Sequence, residues 1–141
     1  MTTTSAKQVG SCHCGSVKFQ VQLTDAFNTI LRCSCSYCRM RGAVAASAQL
    51  DGMKIIQGEE LLTLYQFNTN TAKHYFCRIC GIHTHYQRRS DPSQFGINVA
   101  CLEGVSPFDF PEVIVSNGVH HPADSLSSQR LIAGVLRFTE N

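Results

Sequence analysis

The chain has 141 residues, 43% of them hydrophobic, and a formal charge of +2. That length fits one domain spanning residues 1–141, and that apolar share supports a packed core, which excludes a disordered tail or linker. Lysine and arginine form no run, so no nucleic-acid footprint is expected, and no stretch nears the roughly 20 apolar residues a membrane helix needs.

The opening MTTTSAKQVG is polar and has no apolar h-region, so an export signal is not expected and the cytoplasm is the expected location. Val17, Phe19, Val21 and Leu23 then alternate with polar neighbours, the period-two pattern of a half-buried strand. Further strands are expected over residues 43–48, 62–67, 72–76, 82–86, 95–101 and 113–115. Turn chemistry separates them at Asp51-Gly52, residues 68–70, residues 90–93 and Asn117-Gly118. Residues 125–136 alone suit a short helix, which Gly134 weakens. Many short strands with regular punctuation predict a mainly β fold of antiparallel sheets.

Eight cysteines without an export signal need explaining. In a reducing compartment, clustered cysteines point to metal or redox chemistry rather than to disulfides. Seven of the eight fall into three groups: Cys12 and Cys14; Cys33, Cys35 and Cys38; Cys77 and Cys80. Cys77-x-x-Cys80 followed by Gly81 reads as a zinc knuckle, with two sulfurs converging on one side of a tight turn. Cys12 and Cys14, followed by Gly15, are the expected second half of its tetrahedral site. Four thiolates leave no open position, so that site would be structural. The middle group offers three thiolates within six residues and leaves a fourth position for a substrate, the mark of a catalytic metal. Joining Cys35 and Cys38 to Cys77 and Cys80 as a zinc ribbon is the alternative pairing.

The series GSCHCGSVKF, CSCSYCRMRGA, TAKHYFCRICGIHTHYQRRSDP and INVACLEG resembles the glutathione-dependent formaldehyde-activating enzyme family, including its centromere protein V-like branch. The resemblance covers roughly residues 9–122. It implies a β-tent of coiled antiparallel sheets, a structural zinc on Cys12, Cys14, Cys77 and Cys80, and a catalytic zinc on Cys33, Cys35 and Cys38. It also implies a carbon–sulfur lyase acting on a glutathione-like thiol and formaldehyde. The family often carries histidine where this chain has Ser34.

Three thiolates on a divalent zinc sum to −1, a mild Lewis acid better suited to holding a fourth sulfur than to making hydroxide. Zinc deprotonates a bound thiol, and the thiolate is the form that attacks a carbonyl. His83 and His85, two apart in an expected strand, would share one face and are candidate proton shuttles toward the metal. His74 is expected to be structural, and His120 and His121 to lie in an exposed turn. Arg39, Arg88 and Arg89 are candidates for a ligand's carboxylates. Cys101 is expected in the core. Two other readings compete: a zinc-stabilised, non-enzymatic interaction module, and a thiol redox enzyme of the methionine sulfoxide reductase type with Cys101 as nucleophile. The chain leaves room for a homo-oligomer.

Overall fold

The structure, a computed structural model, describes residues 7–118 and 132–141. β1 (Lys7–Ser11) and β2 (Lys18–Leu23) form a hairpin running from Lys7↔Gln22 to Ser11↔Lys18. β3 (Leu31–Cys33), α1 (Ser36–Arg41) and β4 (Ala45–Gln57) follow, and then β5 (Leu62–Tyr65) and β6 (Lys73–Cys77). The described chain closes with β7 (His83–Gln87), β8 (Gln94–Asn98), β9 (Glu112–Ser116) and β10 (Ile132–Arg137). The strand order is β10-β9-β3-β4-β8-β7-β6-β5, with β2 also on β4 and β1 beyond it. The protein is mainly β, as expected. The sheet is mixed rather than wholly antiparallel, because β3 and β9 run parallel.

β4 joins the two parts of this sheet. Its first half pairs with β8, Ala45↔Asn98 to Gln49↔Gln94, and its second half pairs with β2 from Met53 onward. The Asp51-Gly52 pair, expected as a turn, lies inside this strand, where the pairing with β2 shifts register between Ala48 and Met53. A Cβ on Gly52 would lie 3.1 Å from Gln22 O and 3.2 Å from Gln49 O, so glycine lets the strands close up without a chain reversal. The turns at Asn68 and Asn70 form as expected, both residues taking the left-handed conformation that asparagine tolerates. At residues 90–93, Asp91 Oδ1 accepts from the Ser93 amide at 3.1 Å and holds that turn.

The inward face of β2 builds the main core. Phe19, Val21 and Leu23 pack with Ala46, Ala48, Ile97, Val99 and Leu102. A second, smaller cluster holds Cys12, Val17 and Cys77 against Leu61, Leu62 and Cys80. Its apolar content is slight, and cysteines make up half of it.

Two further expectations fail. Ile132 to Leu136, expected within a helix, belong to β10, which pairs antiparallel with β9. The rest of that segment, with His120 and His121, lies outside the described residues. Among the described residues the α-helix is α1, which sits inside the middle cysteine group. Among the described residues no helix is long and apolar enough to cross a membrane.

Candidate metal centre

Cys12 follows β1 and Cys77 ends β6, and each enters a tight turn that closes on a glycine, three residues on from Cys12 and four from Cys77. Gly15 N donates to Cys12 O at 3.1 Å and Gly81 N to Cys77 O at 2.7 Å, with both glycines near φ +80° and +78°. Nothing crowds either glycine, so it is the positive φ that calls for glycine here. The sulfurs of Cys12, Cys14, Cys77 and Cys80 lie within 4.8 Å of one another. Cys12 and Cys14 Sγ are 3.6 Å apart and Cys14 and Cys77 Sγ 3.8 Å. A tetrahedron with metal–sulfur bonds of about 2.3 Å has edges of about 3.8 Å. A disulfide needs about 2.05 Å, so this spacing fits a shared ion and no disulfide. The Val17 amide adds an N–H donor to Cys12 Sγ at 3.3 Å.

The middle group is built by a strand end and a helix start. Cys33 closes β3, and Cys35 is the N-cap of α1, its sulfur accepting from Cys38 N at 3.3 Å. Cys38 follows one turn later on the same face, and Gly42 closes the helix with its amide on Cys38 O. The sulfurs of Cys33, Cys35 and Cys38 lie within 4.8 Å of one another, and among the described residues no other histidine, cysteine or carboxylate joins them. Cys35 and Cys38 therefore gather with Cys33, not with Cys77 and Cys80, and the ribbon pairing is absent. Hydrogen bonds from Cys33 and Cys38 hold the Cys35 thiol well below its ordinary range. The same contacts push Cys38 far up, with burial adding to the rise and Arg41 opposing it. Such a set shares one negative charge readily and three only with a cation's help.

Ser34 fastens this loop to β9. Its hydroxyl donates to Ser116 O at 2.9 Å and accepts from Gly118 N at 3.0 Å. Gly118 in turn lies against the triad, where an added Cβ would sit 2.5 Å from Cys33 Sγ and 2.6 Å from Cys35 N. Gly118→Ala is accordingly expected to displace the Cys33 sulfur. Overpacking of this kind costs about 1–3 kcal/mol, or roughly 5- to 160-fold in affinity for a metal on the triad. Chelator competition is expected to show that loss with the four-cysteine site unaffected.

A cavity of about 740 Å³ opens beside the triad, and Cys33, Cys35 and Cys38 form part of its wall with His74, Arg39 and Arg88. Arg89 also lines it. The other histidines part company. A bulge between Tyr75 and Phe76 in the β6–β7 pairing sets Phe76 opposite His83 and Tyr75 opposite His85, leaving Thr84 as the extra residue. His83 thus turns to the side of His74 and Tyr86, while His85 stacks on Tyr75 and meets the edge of Phe95. The shared face expected from their spacing does not exist, and neither residue lines the cavity. Burial holds His85 down to about 4; burial, then Arg41, holds His74 down to about 4, so both are neutral at pH 7. Cys101 is buried in the core as expected, its thiol donating to His83 O at 3.4 Å. Burial raises it to about 12, the opposite of what a redox nucleophile needs.

A family model described as glutathione-dependent formaldehyde-activating enzyme matches residues 7–114, through both knuckles and the triad. The chain belongs to this family. A Halomonas elongata protein named "Putative glutathione-dependent formaldehyde-activating enzyme" is 32% identical over 80 residues, half of this chain and half of that protein. The chain thus spans about half the length of that curated relative in the match. A crystal structure of a Rhodobacter sphaeroides protein is similar at 55% identity with a TM-score of 0.75, covering 79% of this chain and all of that one.

Arg41 is the site residue that sequence reasoning passed over. Its guanidinium contacts Cys38 Sγ and His74. The available signal was its spacing from Cys38, three positions on, which puts both on one helix face.

Proposed function

We propose that the protein is a zinc-dependent enzyme that joins a small-molecule thiol such as glutathione to formaldehyde or a related small carbonyl, and reverses that reaction as a carbon–sulfur lyase. Cys12, Cys14, Cys77 and Cys80 would hold a closed structural zinc, and Cys33, Cys35 and Cys38 an open one. The observation that carries this reading is the three-sulfur group, with no fourth ligand among the described residues, on the wall of a cavity. When bound there, zinc would supply a position that keeps a thiol ionised at neutral pH.

The chain's own residues do the rest. The triad fixes where the entering sulfur sits, and the cavity wall keeps its substituents beside it. Arg39 and Arg88 supply positive charge for a ligand's carboxylates. Neutral His74 contributes a polar wall that adds no charge. In the forward direction a sulfur–carbon bond forms as the carbonyl π bond opens, and the proton lost by the thiol ends on the carbonyl oxygen. A cytoplasmic setting, rich in reduced thiols, suits such a site.

Titrating glutathione into cobalt-substituted protein tests the reading. Two cobalt ions per chain are expected, and a fourth sulfur ligand is expected to change the visible absorption. An unchanged spectrum with both sites loaded, for glutathione and other small thiols alike, would overturn it. The zinc-stabilised interaction module would then be the better description.

A further inference from the structure

Arg41 ends α1, and its guanidinium lies against the triad instead of extending into solvent. Nη2 donates to Cys38 Sγ at 3.2 Å and Nη1 to His74 Nδ1 at 2.9 Å. The rings of Tyr37 and Tyr86 flank it, with centroids 5.2 and 4.9 Å away. Nε is buried without a hydrogen-bond partner. Among the described residues no carboxylate pairs with it, and the ion pair formed between Arg137 and Glu112 lies at the surface.

A guanidinium drawn partly out of water, with Nε buried and unpaired, is costly without an anion beside it. The neighbouring histidines supply none. His74 accepts a hydrogen bond as a neutral ring, and the His83 Nδ1–H donates to Tyr75 O. The two tyrosine faces attract the cation but carry no charge. The one group within reach that becomes an anion, once a metal holds it, is the sulfur of Cys38.

We propose that Arg41 is the built-in counter-charge of the Cys33, Cys35 and Cys38 metal site, a positioning residue that makes the site receptive to an anionic fourth ligand. The inference rests on the reading that the triad holds a divalent metal. Three thiolates and a divalent ion sum to −1, and Arg41 brings the group to zero. An entering thiolate then meets a neutral centre, not one of its own sign. One unit charge at about 5–6 Å, with an effective dielectric of about 20–40, changes anion affinity on the order of 10- to 100-fold. Lysine keeps the charge but loses the fork that spans Cys38 and His74 and the planar stack on the tyrosines.

The test compares an anionic and a neutral ligand on cobalt-loaded protein. Mercaptoethanol, which binds as its thiolate, is expected to bind Arg41→Gln about 10- to 100-fold more weakly than wild type. Imidazole, a neutral ligand, is expected to bind both alike, and Arg41→Lys is expected to recover part of the thiolate affinity. Equal losses for both probes would reduce Arg41 to a packing role and overturn the proposal, as would unchanged thiolate binding. Should neither variant fold, the wild-type protein decides. Loading the second metal is expected to shift the N–H resonances of one hydrogen-bonded arginine, and no shift overturns the proposal. Wild-type protein that takes up one cobalt and no second would defeat the metal-site reading itself, and the counter-charge with it.

Discussion

Cys77→Ser is expected to yield insoluble or unfolded protein that has lost one zinc. The sulfurs of Cys14 and Cys77 are 63 residues apart in sequence and 3.8 Å apart in space, so an ion shared between them would close a long loop. The apolar packing around them is thin, with Val17, Leu61 and Leu62 as the main non-cysteine members. Structural zinc sites contribute about 10–16 kcal/mol at pH 7, comparable with or above the roughly 5–15 kcal/mol that holds a whole domain together. Serine in place of fully buried Cys77 removes a ligand and leaves a hydroxyl where water cannot reach. Metal analysis and thermal unfolding check the result. A soluble, cooperatively folding Cys77→Ser protein with full metal content would sink the four-cysteine assignment.

The parts of the fold that were legible are those where local pattern and long-range pairing agree. The alternation from Val17 to Leu23 survives because one face of β2 meets the core and the other does not. Asn68 and Asn70 announce a turn through their own backbone preference. Asp51-Gly52 misleads because the same dipeptide serves a register shift inside a long strand, and that choice is made by β2 and β8, which pair on either side of it. The parallel pairing of β3 with β9 has no local signature, and β3 is only three residues long. Helix α1 is hidden for a different reason. Its cap is a cysteine sulfur, not the serine, threonine or aspartate that usually marks a helix start.

At the site, the grouping of cysteines was legible because ligand spacing is a property of short turns. The orientation of the histidines was not. His83 and His85 would share a face in a regular strand, and one extra residue opposite β6 reverses His83. Arg41 escaped notice because its meaning depends on a helix that the pattern did not reveal.

Cys35→Ser is expected to separate the second metal from the fold. Serine is a good N-cap, and its hydroxyl can accept the Cys38 amide that Cys35 sulfur accepts at 3.3 Å. Helix α1 therefore keeps its start, Gly42 keeps its end, and the main core is untouched. A neutral hydroxyl is nonetheless a poor replacement for a thiolate on zinc, where soft sulfur ligands are preferred. Cys33 and Cys38 alone leave two protein ligands, too few to hold the ion against water or a chelator. The expected protein is folded, carries one zinc on Cys12, Cys14, Cys77 and Cys80, and shows no spectral response to glutathione when cobalt-loaded. Metal counting beside circular dichroism checks this. A variant that loses the first zinc and keeps the second would reverse the two assignments, and one that keeps both with an intact thiol response would remove Cys35 from the site.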